Sequence, residues 1–201
     1  MFLLKSLKLT QNLKHLLTVT EQLILEKGCI NTTLQDIIKR SGLSKGAIYH
    51  YVRSKDELFG LILQIKMEKT NADFHKETQK ANAGLEGPLT AIVNRLKLLL
   101  DETDVTNTIF IYLLGRKSDP AIADILSHIY QYSSELSISW IKAGQKAGVI
   151  AENLDPKQVT TMFITFSYGL RVQAMIDPAT ISHSLQEFHE LMRNTLGTTS
   201  A

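Results

Sequence analysis

The stretch "TTLQDIIKRSGLSKGAIYHYVRSKDELF", residues 32–59, decides the fold of this chain. It predicts three helices joined by tight turns, because side chains that can cap a helix N-terminus recur at short intervals. These capping candidates are Thr32 or Thr33, then Ser44, then Ser54. The predicted helices cover 33–40, 45–51 and 55–80, and "SGL" at 41–43 forms the turn between the first two.

Two arrangements are open for the start of the first of these helices. Thr33 can form a capping box with Asp36, and Thr32 can form one with Gln35, because both pairs have the spacing of three residues that the motif requires. The sequence alone leaves both possible.

Outside this stretch, apolar residues recur at helical rather than alternating spacing. They predict a helix over 10–27 that Gly28 ends. Three Asp-Pro pairs, at 119–120, 155–156 and 177–178, predict helix starts with an Asp N-cap and Pro in the first turn. The predicted C-terminal helices cover 88–101, 106–116, 120–147, 156–176 and 179–196. The chain is therefore expected to be all-α, with about nine helices.

Composition places the chain among ordinary globular proteins. It has 201 residues, 44% hydrophobic and 21% charged, and we see no apolar run long enough to span a bilayer. The N-terminal "MFLLKSLKLT" lacks the continuous apolar core of a signal peptide, so we expect a cytoplasmic protein with no membrane partner. Cys29 is the single cysteine, which rules out an intrachain disulfide and suits a reducing compartment.

Charge is unevenly distributed along the chain. Residues 1–70 hold 11 Lys and Arg against 6 Asp and Glu, a net charge of +5. Residues 71–201 hold 11 against 14, a net charge of −3. Either this difference is chance, or the basic N-terminal third meets a polyanion.

The sequence shows no pattern typical of an enzyme. It has no HExxH, no Cys/His metal spacing, no nucleophile elbow, no phosphate-binding loop and no dinucleotide fingerprint. We therefore predict no catalytic residues, no metal site and no cofactor.

Two short helices joined by a glycine-containing turn, the second with a polar face, are typical of a helix-turn-helix. The helix over 33–40 would brace the helix over 45–51, which would enter the major groove of DNA. Tyr49 is expected to face the DNA, and Tyr51 the core. The alternative for Tyr49 is an aromatic residue of the core, and the alternative for the other polar side chains is an ordinary solvated surface residue. The predicted DNA-binding residues are Thr33, Arg40, Ser44, Lys45, Gly46, Ala47, Tyr49, His50, Arg53 and Lys55.

"GLSKGAIYHYVRSKDELF" resembles the DNA-binding signature of the TetR family of transcriptional regulators, and "LILEKGCINTTLQDI" upstream fits the same pattern. Cys29 departs from the usual aromatic residue, Val52 from the usual Phe, and Ile38 from a commonly small residue. Cys29 and Val52 are expected in the core. Lys5 and Lys8 give a less basic N-terminal arm than many members have.

The resemblance implies an N-terminal DNA-binding domain, over 1–54, and a helical ligand-binding and dimerisation domain, over 55–201, with helix 55–80 connecting them. It implies a homodimer through helices 156–176 and 179–196. It also implies a repressor of a palindromic double-stranded DNA operator, released by a small-molecule effector. Two alternatives stay open: an architectural DNA-binding factor without inducer, and a small-molecule carrier with a vestigial helix-turn-helix.

Aromatic and arginine residues of the C-terminal helices supply the candidate effector site, although helical spacing makes aromatic residues core members as well. An arginine within apolar sequence needs an acidic partner or an anionic ligand if it is buried. We expect a hydrophobic effector with one anionic group. The predicted ligand-binding residues are Phe110, Arg116, Trp140, Phe163, Phe166 and Arg171.

Overall fold

The computed structural model describes residues 10–80 and 84–197. Within these ranges the chain forms nine α-helices, one 3-10 helix over Lys97–Leu100, and no strand, which confirms the all-α prediction. The α-helices are α1 (Gln11–Asn31), α2 (Leu34–Ser41), α3 (Lys45–Tyr49), α4 (Lys55–Thr78), α5 (Glu86–Leu96), α6 (Thr106–Leu114), α7 (Pro120–Lys146), α8 (Pro156–Ile176) and α9 (Ile181–Leu196). In the part of the chain described, no helix combines the length and the apolar content needed to cross a bilayer.

Side-chain caps begin the helices that the sequence marked. Asp36 donates its backbone N–H to the Thr33 hydroxyl at 3.1 Å, and Thr33 donates its own N–H to the Asp36 carboxylate at 2.9 Å. The Thr33 arrangement of the capping box is therefore the one that forms. Asp119 and Asp155 cap α7 and α8, each accepting a backbone N–H two residues on, and Pro follows each of them.

The third Asp-Pro pair behaves differently. Asp177 ends α8, donating its backbone N–H to the Gln173 carbonyl at 2.7 Å. Its carboxylate accepts the Thr180 hydroxyl at 3.1 Å instead of capping a helix, and α9 begins at Ile181. The predicted start at 179 is wrong by two residues, because Asp177 still belongs to the end of the preceding helix.

Gly28 interrupts α1 near its C-terminus. Its φ of 76° and ψ of 166° are not helical, so the regular helix stops where the sequence predicted. The chain resumes one more turn, in which Thr32 donates both its N–H and its hydroxyl to the Gly28 carbonyl. The C-terminus of α1 is thus a tight backbone corner.

The described residues divide into two compact units. The first comprises 10–65 and 103–129, so α6 packs in the same unit as the N-terminal helices. Cys29 and Val52 are both buried in it, as predicted. Its other fully buried apolar side chains include Leu13, Leu16, Ile37, Ile48, Leu58, Phe59, Ile109 and Leu113. The sequence-based domain boundary between residues 54 and 55 stays a prediction.

The second unit comprises 66–80, 84–102 and 130–197. Its core lies where α5, α8 and α9 pack together, with α7 contributing Ile141. Phe163 of α8 packs edge-to-face on Phe188 of α9, with ring centroids 5.9 Å apart. Burial of this apolar surface, worth about 25 cal/mol per Å², is the main stabilising contribution of such a core.

Candidate nucleic-acid interface and apolar cavity

Helix α3 presents a polar face because one residue anchors it from behind. Ile48 is fully buried, whereas Tyr49 is 44% exposed. Ser44 caps the helix, its hydroxyl accepting the Ala47 N–H at 3.2 Å. Of the ten predicted DNA-binding residues, Ala47 and Lys55 are half-buried, and the others are exposed: Thr33, Arg40, Ser44, Lys45, Gly46, Tyr49, His50 and Arg53.

The two tyrosines around His50 have different surroundings. Tyr51 is half-buried, and its hydroxyl lies 2.9 Å from the Thr10 hydroxyl, so it contacts the N-terminus of α1 within the first unit. Tyr49 is exposed, and the Lys45 ammonium nitrogen lies 5.7 Å from the centre of its ring. This cation–π contact groups a positive charge with a phenol hydroxyl on the outer face of α3.

Arg40 and Thr33 already have protein partners. Arg40 makes a two-pronged ion pair with Glu26, at 2.7 and 2.9 Å, and its hydrogen bond lowers the pKa of that carboxyl. Asp36 accepts the Lys27 ammonium at 2.6 Å and the Thr33 hydroxyl at 2.5 Å, so its pKa lies well below the usual range. The Arg40–Glu26 pair is exposed, so a phosphate oxygen could replace its carboxylate.

Lys55 has a structural role that the sequence did not reveal. Its ammonium donates to three backbone carbonyls near the end of α1, those of Cys29 at 2.8 Å, Ile30 at 3.1 Å and Thr32 at 2.8 Å. Burial lowers the pKa of Lys55 below its ordinary value, and the opposing effect of the Asp56 charge is smaller. Lys55 therefore caps α1 from α4, and a phosphate would have to compete with these carbonyls. Its DNA contact stays a prediction.

Asp56 ties α4 to the α6 region. Its carboxylate accepts Arg116 at 3.0 and 3.1 Å and the Tyr112 hydroxyl at 3.0 Å. Burial, followed by the nearby charge of Asp56, raises the pKa of Tyr112 to about 12, so this phenol stays protonated. Arg116 is one of the predicted ligand residues, for which the sequence left open an acidic partner or an anionic ligand. In the structure its partner is the acidic residue Asp56.

The thiol of Cys29 is buried beside this cluster. Its exposed fraction is 4%, and burial raises its pKa to about 11. A protonated, buried thiol is a poor nucleophile, so Cys29 serves as a small apolar residue here. Lys5 and Lys8 of the N-terminal arm lie outside the described residues.

The second unit contains an apolar cavity of about 90 Å³. One wall is a stacked pair: the rings of Phe74 and Trp140 are 4.6 Å apart at 14°. The Trp140 indole N–H is held by the Asn71 side-chain oxygen at 2.7 Å. Phe163 also lines the cavity. Two of the six predicted ligand residues, Trp140 and Phe163, thus meet there.

The other four predicted ligand residues lie elsewhere. Phe110 is buried in the first unit, and Arg116 is paired there with Asp56. Phe166 stacks on Phe188 at 4.7 Å, on the outer face of α8, and Arg171 is half-buried further along that helix. The sequence missed Phe74, Leu89 and Ile150 as cavity-lining residues, because only the tertiary packing brings them together.

Across the described ranges, no three His, Cys, Asp or Glu side chains are grouped so that they could hold a metal ion.

Residues 16–62 match the family described as "Bacterial regulatory proteins, tetR family". This segment contains α2, α3 and the start of α4, which are the elements that carry the exposed polar face.

Two curated relatives each match a part of the chain. The transcriptional repressor NemR of Escherichia coli is 35% identical over 74 residues, which cover 37% of this chain and 35% of NemR. The transcriptional regulator QacR of Staphylococcus aureus is 36% identical over 76 residues, which cover 37% of this chain and 40% of QacR. The matches thus span well under half the length of each relative.

The whole fold has solved counterparts. The structure of SmeT in complex with triclosan superposes with a TM-score of 0.71 at 15% identity, covering 95% of this chain and 94% of that one. At this identity the likeness concerns the fold: a helix-turn-helix domain followed by a larger helical domain.

Proposed function

We propose that this chain, whose N-terminal helix-turn-helix is of the TetR family, is a DNA-binding transcriptional regulator. The observation that carries the proposal is the outer face of α3. Lys45, Tyr49 and His50 are exposed together on a short helix that Ile48 anchors in the core. Such a helix fits the major groove and offers donors to phosphates and base edges.

The proposed regulator acts as a homodimer through α8 and α9. Helix α8 exposes a row of large apolar side chains that includes Phe166 and Ile176, the latter 78% exposed. A row of this kind on a monomer marks an interaction surface, and a second copy would cover it. Two recognition helices would then enter successive major grooves about 34–36 Å apart, so the operator would be palindromic.

The proposed regulator is a repressor released by a small molecule bound in the cavity. Phe74 and Thr78 of α4 line the cavity, and the first turn of the same helix carries Lys55 and Asp56, which hold α1 and the α6 region. An effector that binds better to a conformation with α4 displaced would weaken DNA binding, typically by about 1–3 kcal/mol of coupling. SmeT, which shares the fold, is described in complex with triclosan.

Selection from a randomised duplex DNA pool, at fixed salt and with the dimeric protein, tests this proposal. We expect recovery of an inverted repeat bound at nanomolar affinity. Recovery of no sequence preference, with weak binding that falls steeply as salt rises, would instead favour the architectural or carrier functions. A variant with Tyr49→Ala and His50→Ala is the control, since it removes exposed side chains and leaves Ile48 in place.

A further inference from the structure

We infer that the cavity takes an uncharged, apolar molecule about the size of a single ring. This rests on the proposed function, because it names the chemical class of the effector that would bind there. The sequence led us to expect an effector with an anionic group. Charge, hydrogen bonding and volume instead favour an uncharged molecule.

Charge is the first argument. Among residues 10–80 and 84–197, the side chains that line the cavity include no Asp, Glu, Lys, Arg or His. An ion enclosed by this lining would lose its hydration without gaining a counter-ion, which is costly in an apolar environment. Of the two arginines that the sequence offered as anion partners, Arg116 is bound to Asp56 in the first unit, and Arg171 is not among the described lining residues.

Hydrogen-bonding capacity is the second argument. The Trp140 N–H is taken by Asn71, and the Thr78 hydroxyl donates to the His75 carbonyl at 2.8 Å. The Ser137 oxygen accepts the Thr160 hydroxyl at 3.2 Å. Among the lining side chains that the structure describes, Ser137 still has its own hydroxyl hydrogen to donate. The cavity therefore suits a molecule with one weak acceptor at most.

Volume and shape are the third argument. Drug-sized pockets measure roughly 300–1,000 Å³, whereas an apolar cavity of roughly 150 Å³ is known to accept benzene. At about 90 Å³, this cavity is smaller than both, so a single ring or a short branched chain is the upper limit of what it can hold. Phe74 and Trp140 stack on each other, so each ring keeps one face that the other does not cover, and such a face suits stacking by a planar ligand.

Close packing fixes another part of the lining. A side-chain carbon at Gly144 would lie 2.4 Å from the Ile150 terminal methyl, so Ile150 sits directly against the backbone of α7. Ile150 and Gly144 both line the cavity, which therefore cannot widen toward α7 without displacing this side chain. A larger effector would have to move other walls.

Trp140 makes the test direct, because it is the only tryptophan in the chain and lines the cavity. The full-length protein would be titrated with toluene, benzoate and benzylamine at pH 7, with Trp140 fluorescence and calorimetry as readouts. The three probes share a ring and differ in charge. We expect saturable binding of toluene, and binding of benzoate and benzylamine weaker by roughly a hundredfold.

Variants establish where the probe binds. Ile92→Phe should fill the cavity and weaken toluene binding at least about tenfold, whereas Leu25→Phe, an exposed position on α1, should leave it unchanged. If Ile92→Phe proves unstable through overpacking, Phe163→Leu enlarges the cavity and should improve binding of the larger neutral probe cumene relative to toluene.

Several results would overturn the inference: no saturable toluene binding, equal affinity for benzoate or benzylamine, or unchanged toluene binding in Ile92→Phe. Because the titration contains no DNA, it separates the two proposals. Toluene binding without any effect on operator affinity would leave the ligand class intact and contradict effector release. Benzoate binding together with operator release would support effector release and contradict the ligand class.

Discussion

The Lys55 ammonium nitrogen, at the first residue of α4, lies 2.8 Å from the Cys29 carbonyl oxygen near the end of α1. Two further carbonyls, those of Ile30 and Thr32, accept the same ammonium. These carbonyls follow Gly28, where the regular helix breaks. One lysine therefore satisfies the acceptors that the broken helix leaves open, and it fixes the corner that leads into α2.

Replacing Lys55 by Met should lower the free energy of unfolding by about 1–2 kcal/mol, because charged hydrogen bonds to partly buried carbonyls are lost. Urea denaturation would measure it. Lys45→Met is the matched control, since Lys45 is exposed and its ammonium lies over the Tyr49 ring. Equal stability of the two variants would mean that the three carbonyls are satisfied equally well by water.

The same two lysines test phosphate binding. Lys45→Ala and Lys55→Ala should each weaken binding to all DNA sequences alike and reduce the slope of log affinity against log salt by about 1. The slope is to be measured at a temperature where both variants are folded. An unchanged slope for Lys55→Ala would assign that residue to the α1 corner alone, whereas altered base preference would contradict a phosphate contact for either lysine.

His50→Ala should reduce affinity for the selected operator by about 1–3 kcal/mol and relax the preference at one base pair, provided that the imidazole reads a base edge. Binding to a panel of single-base operator variants would measure this. The substitution should leave stability nearly unchanged, because His50 is exposed. Retention of full affinity and full preference would place His50 outside the contact surface.

Asp36 should make the stability of the protein depend on pH in the acidic range. Its pKa is lowered by Lys27 and Thr33, so its contribution is complete above the pKa of about 3.9 of an unfolded Asp and is lost as pH falls through the folded value. The difference in Tm between the wild-type protein and Asp36→Asn should therefore be constant near neutral pH and shrink in strong acid. Asp73→Asn, exposed on α4, is the control. A difference that grows in acid would have the wrong sign.

Phe166→Glu should shift the protein from dimer to monomer, because it places a charge in the exposed apolar row of α8. Sedimentation equilibrium would measure the dissociation constant, for which we expect an increase of at least about a hundredfold. Leu25→Glu alters an exposed leucine of α1 and should leave the dimer intact. Dissociation by Leu25→Glu alone would move the interface away from α8.

Much of the fold could be predicted because its signals are local. The Thr33 and Ser44 caps, the glycine at 28 and the Asp-Pro pairs at 119 and 155 each act within four residues, and each ends or begins a helix as expected. The helix start predicted from the Asp-Pro pair at 177 was wrong, because Asp177 ends α8 and its carboxylate accepts the Thr180 hydroxyl. The sequence does not indicate which of the two neighbouring helix ends Asp177 belongs to.

The sites were less accessible to sequence reasoning. The exposed face of α3 follows from one buried residue, Ile48, in a short helix, and was predicted. The Lys55 contact was not, because backbone carbonyls 23 to 26 residues earlier have no signature in the sequence. The cavity wall pairs Phe74 with Trp140 across 66 residues of chain, so two unrelated helical patterns had to be brought together.

Asp56 also has a consequence for modular exchange between regulators. Its partners, Tyr112 and Arg116, come 56 and 60 residues later in the chain, although all three belong to the same compact unit. A chimera that grafts only 10–65 onto a foreign ligand-binding domain would carry the carboxylate and leave its phenol and guanidinium behind. The unit to be transferred is therefore discontinuous in sequence. A chimera needs the segment that carries Tyr112 and Arg116 as well as 10–65, or a recipient domain with equivalent partners for Asp56.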